Sequence, residues 1–202
     1  MATYYLVNPE NPQRRSLNQV AQIIRDGGVV AYPTDSGFAL GCALGNVSGM
    51  ERMRQIRGLP GSHNLTLVVS SFAQLGQYVQ MDNHEFRAIK RATPGHYTFV
   101  LHATKDLPRA MQQPRKRTVG ARVPDHTTAL ALLDALGEPL VSCSLILPGE
   151  TSPLSDGRAV AEQLEHLVEA VLDSGDAGRE PTTVVDFTTD ELTVVRVGGG
   201  DP

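Results

Sequence analysis

The sequence has no tryptophan, and aromatic residues fill 5% of its 202 positions. That leaves few rings on which bases could stack, and no RNA-binding signature stands out. It has no run of 18 apolar residues to mark a membrane-spanning helix. The opening stretch MATYYLVNPENPQRR turns polar after seven residues, so no secretory signal is expected. Cysteine is scarce: Cys42 and Cys143 lie far apart and fit no metal spacing. The expectation is a cytoplasmic chain with reduced thiols and no membrane partner. The six histidines lack metal-ligand clustering. G-x-x-x-x-G-K-[ST], G-x-G-x-x-G, kinase, H-E-x-x-H and G-x-S-x-G patterns are all missing.

What is present suits a globular protein: 41% hydrophobic and 20% charged residues. The length suffices for one substantial core. The formal charge of −4 hides an asymmetry. From Arg87 to Arg122 nine cations (Arg87, Lys90, Arg91, Lys105, Arg109, Arg115, Lys116, Arg117 and Arg122) stand against one acid, Asp106. Beyond Arg122 only Arg158, Arg179 and Arg196 oppose many Asp and Glu. Such a dipolar chain presents one anion-attracting face. Lys105, Arg109, Arg115, Lys116 and Arg117 are either a phosphate-gripping surface for RNA or a solvated loop.

Hydrophobic periodicity predicts strands at Thr3–Val7, Val29–Tyr32, Leu65–Val69, Tyr97–Leu101, Thr118–Arg122, Leu140–Cys143, Ala170–Leu172, Thr183–Asp186 and Leu192–Arg196. Helices are predicted from a Ser16 cap to Gly27, over Val47–Ile56, Phe72–Tyr78 and Asn83–Arg91, from a Thr127 or Thr128 cap through Leu136, and from Ala159 to about Val168. Strands and helices interleave without a dividing linker or repeat. One α/β domain over residues 1–202 is expected, built on a twisted mixed sheet with surrounding helices.

The densest chemistry lies in GGVVAYPTDSGFALGC, Gly27 to Cys42. A small apolar strand stops at Pro33, and Thr34, Asp35 and Ser36 place two hydroxyls and a carboxylate at its end. Strand ends of open α/β sheets are where ligands bind. Pro, Thr, Asp, Ser and Gly are also turn formers. Both readings stand open on local chemistry.

The segment resembles the first signature of the YrdC/YciO family, Pro-Thr-Glu-Thr/Ser, an aromatic and Gly-Leu-Gly. Its Asp-Ser-Gly wording is similar to the YciO branch. Five further blocks follow in order: Arg57-Gly58-Leu59-Pro60 with His63, Thr93-Pro94-Gly95-His96-Tyr97-Thr98, Thr118 to His126, Ser142 to Gly149, and Pro181 to Asp186 with Val195 to Gly198. The resemblance implies a single α/β domain with a large, positively charged concave cavity, ending without the extra C-terminal domain of longer members.

It also implies an activity. Members join L-threonine, bicarbonate and ATP into threonylcarbamoyl-AMP and release pyrophosphate, feeding the modification of adenosine 37 in tRNA. Such a nucleotidyltransferase uses Mg2+ as the counter-ion of ATP and needs no structural metal. Carried over by position, Thr34, Arg122, Ser144 and Thr182 hold the amino acid and its carbamoyl end. Arg57, His63, Thr118, Ser142 and Arg196 handle ATP. Leu59 and Ile146 stand where the family has Arg and Asn. Each loss of a charge-assisted contact is worth roughly 1.5–3 kcal/mol, so a weakened or altered synthase is expected. The alternative implied by the resemblance is a protein that binds double-stranded RNA or tRNA without efficient synthesis.

Overall fold

The computed structural model describes residues 1–189 and 192–201. In chain order the elements are β1 (Thr3–Leu6), α1 (Arg14–Arg25), β2 (Val30–Thr34), β3 (Gly37–Ala43), α2 (Val47–Arg57), β4 (Thr66–Val68), α3 (Phe72–Tyr78), β5 (Val79–Gln80) and α4 (Asn83–Arg91). There follow β6 (Tyr97–Ala103), β7 (Thr118–Arg122), α5 (Thr127–Leu136), β8 (Leu140–Ser144), α6 (Gly157–Gln163), β9 (Ala170–Asp173), β10 (Thr183–Asp186) and β11 (Thr193–Arg196). The strands form one mixed sheet in the order β1-β9-β2-β3-β8-β4-β7-β6-β10-β11, with β5 paired to β6. It is the mixed-sheet α/β domain expected from the interleaved pattern.

Side-chain alternation divides the sheet into two faces. On one, Phe99 and Leu101 of β6 and Val119 and Ala121 of β7 join a core with Met50, Met53, Leu75, Ile89 and Val160 from the helices. On the other, Leu17, Val20 and Ile24 of α1 and Leu132, Leu133 and Leu136 of α5 pack over Val30, Tyr32, Leu140 and Leu172. Those two helices cover the half of the sheet around β2, β3 and β9. On the other half, Thr98, Val100, Thr118, Gly120 and Arg122 line an open cleft instead. The cleft therefore occupies the part of a sheet face that α1 and α5 do not reach.

Several sequence expectations need correction. Pro33 does not end its strand: β2 runs through it, pairing with β3 in a hairpin. Only Val30 and Ala31 of β2 pair with β9, so Pro33 removes no ladder donor on that side. β3 and β5 were not expected; the glycine-rich GFALGCA reads as loop by propensity. α1 begins before Ser16, after Gln13, whose side chain accepts instead from the Asn8 amide at 3.1 Å. His126 caps α5 in place of either threonine, its Nδ1 accepting from the Ala129 amide at 3.3 Å. α6 starts at Gly157, capped by Asp156, and stops at Gln163. Leu164 and Val168 still reach the core through turns, which preserves the helical spacing without the helix.

Candidate functional site

Thr34 pairs with Gly37, which makes Asp35 and Ser36 the turn of the β2–β3 hairpin. Gly37 has φ 104°, a conformation that favours glycine. The turn reading holds, and Thr34 and Ser36 of this turn also line the cleft. Thr34 Oγ1 donates to the Gly37 carbonyl at 2.7 Å and accepts from the Ser36 amide at 3.1 Å. Its hydroxyl proton is committed within the hairpin.

Asp35 turns inward and is buried. Arg122, arriving at the end of β7, donates from Nη2 to Asp35 Oδ1 and from Nη1 to Ser36 Oγ at 2.9 Å. The Asp125 amide donates to Asp35 Oδ2 at 3.2 Å, and His96 Nε2 lies 3.6 Å from the same oxygen. A buried carboxylate needs such partners. Arg122 Nε has no hydrogen-bond partner among the described residues. The guanidinium is fixed in orientation by Asp35 and Ser36. The segment after β9 closes over the turn, with the Gly178 amide donating to the Thr34 carbonyl at 2.8 Å.

Thr34, Arg122, Ser144, Thr182, Arg57, His63, Thr118, Ser142 and Arg196 all line one cleft of ≈ 540 Å³. Their hydroxyls are not equivalent. Ser142 Oγ donates to the Leu40 carbonyl at 2.8 Å and so accepts from the Tyr32 hydroxyl at 2.7 Å. Burial pushes that phenol up to about 12. Ser142 therefore has no proton to offer a ligand, whereas Ser144 and Thr118 make no side-chain hydrogen bond among the described residues. Thr182 is clamped by Arg196, which donates from Nε to its carbonyl and from Nη2 to its Oγ1, both at 3.0 Å. Thr182 Oγ1 also lies 2.9 Å from Thr98 Oγ1. Arg57 Nε donates to the Ile146 carbonyl at 3.2 Å, and the guanidinium also interacts with the Cys143 thiol. His63 is held below its ordinary pKa by burial, then by Arg57 and Arg54, which favours the neutral ring.

Ile146 lines the cleft; Leu59 is not among the lining residues. Among the described residues, no Asp or Glu lines it either. Lys105, Arg109, Lys116 and Arg117 lie apart, in a second groove, and Arg115 lies outside both. Asp35 and Ser36 were missing from the expected site. Their turn chemistry was visible, but the pairing of Asp35 with Arg122 spans 87 positions and only the topology reveals it.

Cys143 also lines the cleft, and burial pushes its thiol up to about 11 against the pull of Arg57. Burial pushes Cys42 up to about 12. Neither is a thiolate nucleophile at neutral pH. In iodoacetamide labelling at pH 8, native protein is expected to stay unmodified while unfolded protein takes up label at both cysteines. Rapid labelling of native Cys143 would contradict its burial.

The class is an open α/β sheet protein with arginines and hydroxyls gathered at one cleft, chemistry that suits a small anionic ligand. The Sua5/YciO/YrdC family model, described as "Telomere recombination", matches residues 22–198. The chain belongs to that family. It is 46% identical to uncharacterized YciO of Escherichia coli over 201 residues, covering 100% of this chain and 98% of that one. The crystal structure of E. coli YciO superimposes with a TM-score of 0.95. Threonylcarbamoyl-AMP synthase of Vibrio vulnificus is 33% identical over 182 residues, covering 88% and 96% of the two chains. Sua5 of P. abyssi, solved in complex with L-threonine, is 27% identical with a TM-score of 0.88. The match covers 98% of this chain and 58% of that longer protein. Among the described residues no helix is long and apolar enough to cross a membrane.

Proposed function

We propose that the cleft makes threonylcarbamoyl-AMP from L-threonine, bicarbonate and ATP, releasing pyrophosphate, as an early step in modifying tRNA adenosine. The observation that carries this reading is the gathering of nine dispersed residues into one cleft, with Arg122 oriented by Asp35 and Ser36 at one end. The threonine-bound relative and the 33%-identical synthase support it.

The threonine amine takes up CO2 from bicarbonate to form a carbamate, and water leaves. A carbamate oxygen then attacks the α-phosphorus of ATP, and pyrophosphate departs with the electrons of the broken P–O bond. The protein's part is positioning and charge neutralisation. Arg122, Ser144 and Thr182 hold the carboxylate and carbamate. Arg57 and Arg196, each anchored through Nε, present their remaining N–H groups to the phosphates. Neutral His63 and the free Thr118 hydroxyl complete the nucleotide end. Magnesium arrives with ATP as its counter-ion. Ile146 offers no polar contact there, so turnover is slow.

The test is pyrophosphate release by the full chain with Mg2+, ATP and bicarbonate, with and without L-threonine. Release is expected only with threonine, and Arg196→Ala is expected to raise the KM for ATP about tenfold. Release independent of threonine, or none from folded protein, would sink the reading.

A further inference from the structure

Strand β6 continues beyond the cleft to His102, which pairs with Thr118 across β7 and so points to the same face. There Gln80, His102, Lys105, Arg109, Lys116 and Arg117 line a groove of ≈ 460 Å³. Among the described residues, no Asp or Glu lines it. Among the described residues, none of those four Lys and Arg side chains makes an ion pair.

The segment that carries two of the cations is fixed. The Gln113 amide donates to the Thr118 carbonyl and the Arg117 amide to the Gln113 carbonyl, both at 2.8 Å. Gln113 Oε1 accepts from the Arg115 and Lys116 amides. Arg117 is held at φ 52°, a conformation that non-glycine residues adopt rarely. Like charges fixed together without a counter-charge repel, and a bound anion relieves that repulsion.

We propose that this groove is a second anion site, which takes a ligand carrying two or three linked phosphates. The inference does not rest on the reading of the cleft. Compactness follows from geometry: Lys105 and Arg109 converge from one segment, Lys116 and Arg117 from another, on a single concavity. A nucleic-acid backbone calls instead for cations strung along a surface. Arg115, which could extend such a stripe, does not line the groove. The net charge of −4 and the lack of a Phe, Tyr or Trp in the lining also disfavour nucleic acid.

The test is two-dimensional NMR of the full chain titrated with inorganic triphosphate at low ionic strength. Amides of Thr104, Lys105 and Gln113 to Arg117 (Pro114 excepted) are expected to shift and saturate. The double variant Lys105→Ala/Lys116→Ala is expected to weaken that response about tenfold or more. Both side chains lie in the groove and outside the cleft, so cleft amides should respond as before, while Arg196→Ala should leave the groove response intact. Shifts confined to the cleft, or a groove affinity unchanged in the double variant, would overturn the proposal. So would saturable binding of an RNA duplex at the groove that triphosphate fails to displace.

Discussion

Arg122→Ala is expected to lower the unfolding free energy by about 3–5 kcal/mol, as removal of one partner from a buried ion pair does. Arg122 and Asp35 are each 7% exposed. Without the guanidinium, Asp35 retains the Asp125 amide and a His96 nitrogen 3.6 Å away, too little for a buried charge. Asp35→Ala/Arg122→Ala removes the stranded charge as well and should be less destabilised than the sum of its single variants. Urea unfolding of the four proteins measures this coupling. A loss below about 1 kcal/mol for Arg122→Ala, typical of exposed pairs, would show that the pair does not organise this end of the cleft. Asp35→Asn keeps the shape but weakens the hold on Arg122, so its expected signature is weaker L-threonine binding with ATP binding unchanged.

The second large effect is expected at Gly178. A Cβ there would overlap the carbonyl oxygen of Asp35, and neither backbone can yield cheaply. The segment is tied down by the Gly178–Thr34 hydrogen bond of 2.8 Å. Gly178→Ala must displace either that segment or the Asp35–Ser36 turn. Overpacking of this kind removes about 1–3 kcal/mol of stability, and here it also moves the groups that orient Arg122. Gly175 provides the comparison. An added Cβ meets nothing within 4 Å, although its φ of 75° makes alanine strained. Gly175→Ala is expected to lose about 1–2 kcal/mol while keeping L-threonine affinity. Calorimetric titration of both variants distinguishes strain from displacement of the site. Equal affinities in the two would contradict the role given to Gly178.

Much of the fold was legible because its elements follow simple periodicities. Leu17, Val20 and Ile24 mark the buried stripe of α1, and the apolar run Phe99, Val100, Leu101 marks β6 as a strand, although only the structure shows which face is core. β3 was illegible for a physical reason. Gly37 and Gly41 look like turn residues, yet Gly41 lies where a Cβ would press on the Tyr32 ring at 3.0 Å, so close packing explains a glycine inside the strand. Sheet order, with β9 between β1 and β2, is set by long-range packing that no local pattern encodes.

The site divides in the same way. Its residues were located through family resemblance, since strand-end polar groups scattered from Thr34 to Arg196 share no spacing. What each can do became readable only in three dimensions. Thr34 and Ser142 have committed their protons to backbone carbonyls, Ser144 and Thr118 have not, and Asp35 serves Arg122. Charge counting likewise found the basic stretch but not that Arg115 stands outside the groove while four neighbours converge in it.

The central claim is that this cleft builds a carbamoyl adenylate. The most direct measurement incubates the full chain with radiolabelled bicarbonate, L-threonine and Mg2+-ATP and follows the label into a nucleotide product identified by mass. The account predicts label in threonylcarbamoyl-AMP, dependent on threonine and absent from a folded Arg122→Lys variant. Pyrophosphate formed without incorporation of label, or equal labelling in that variant, would contradict it.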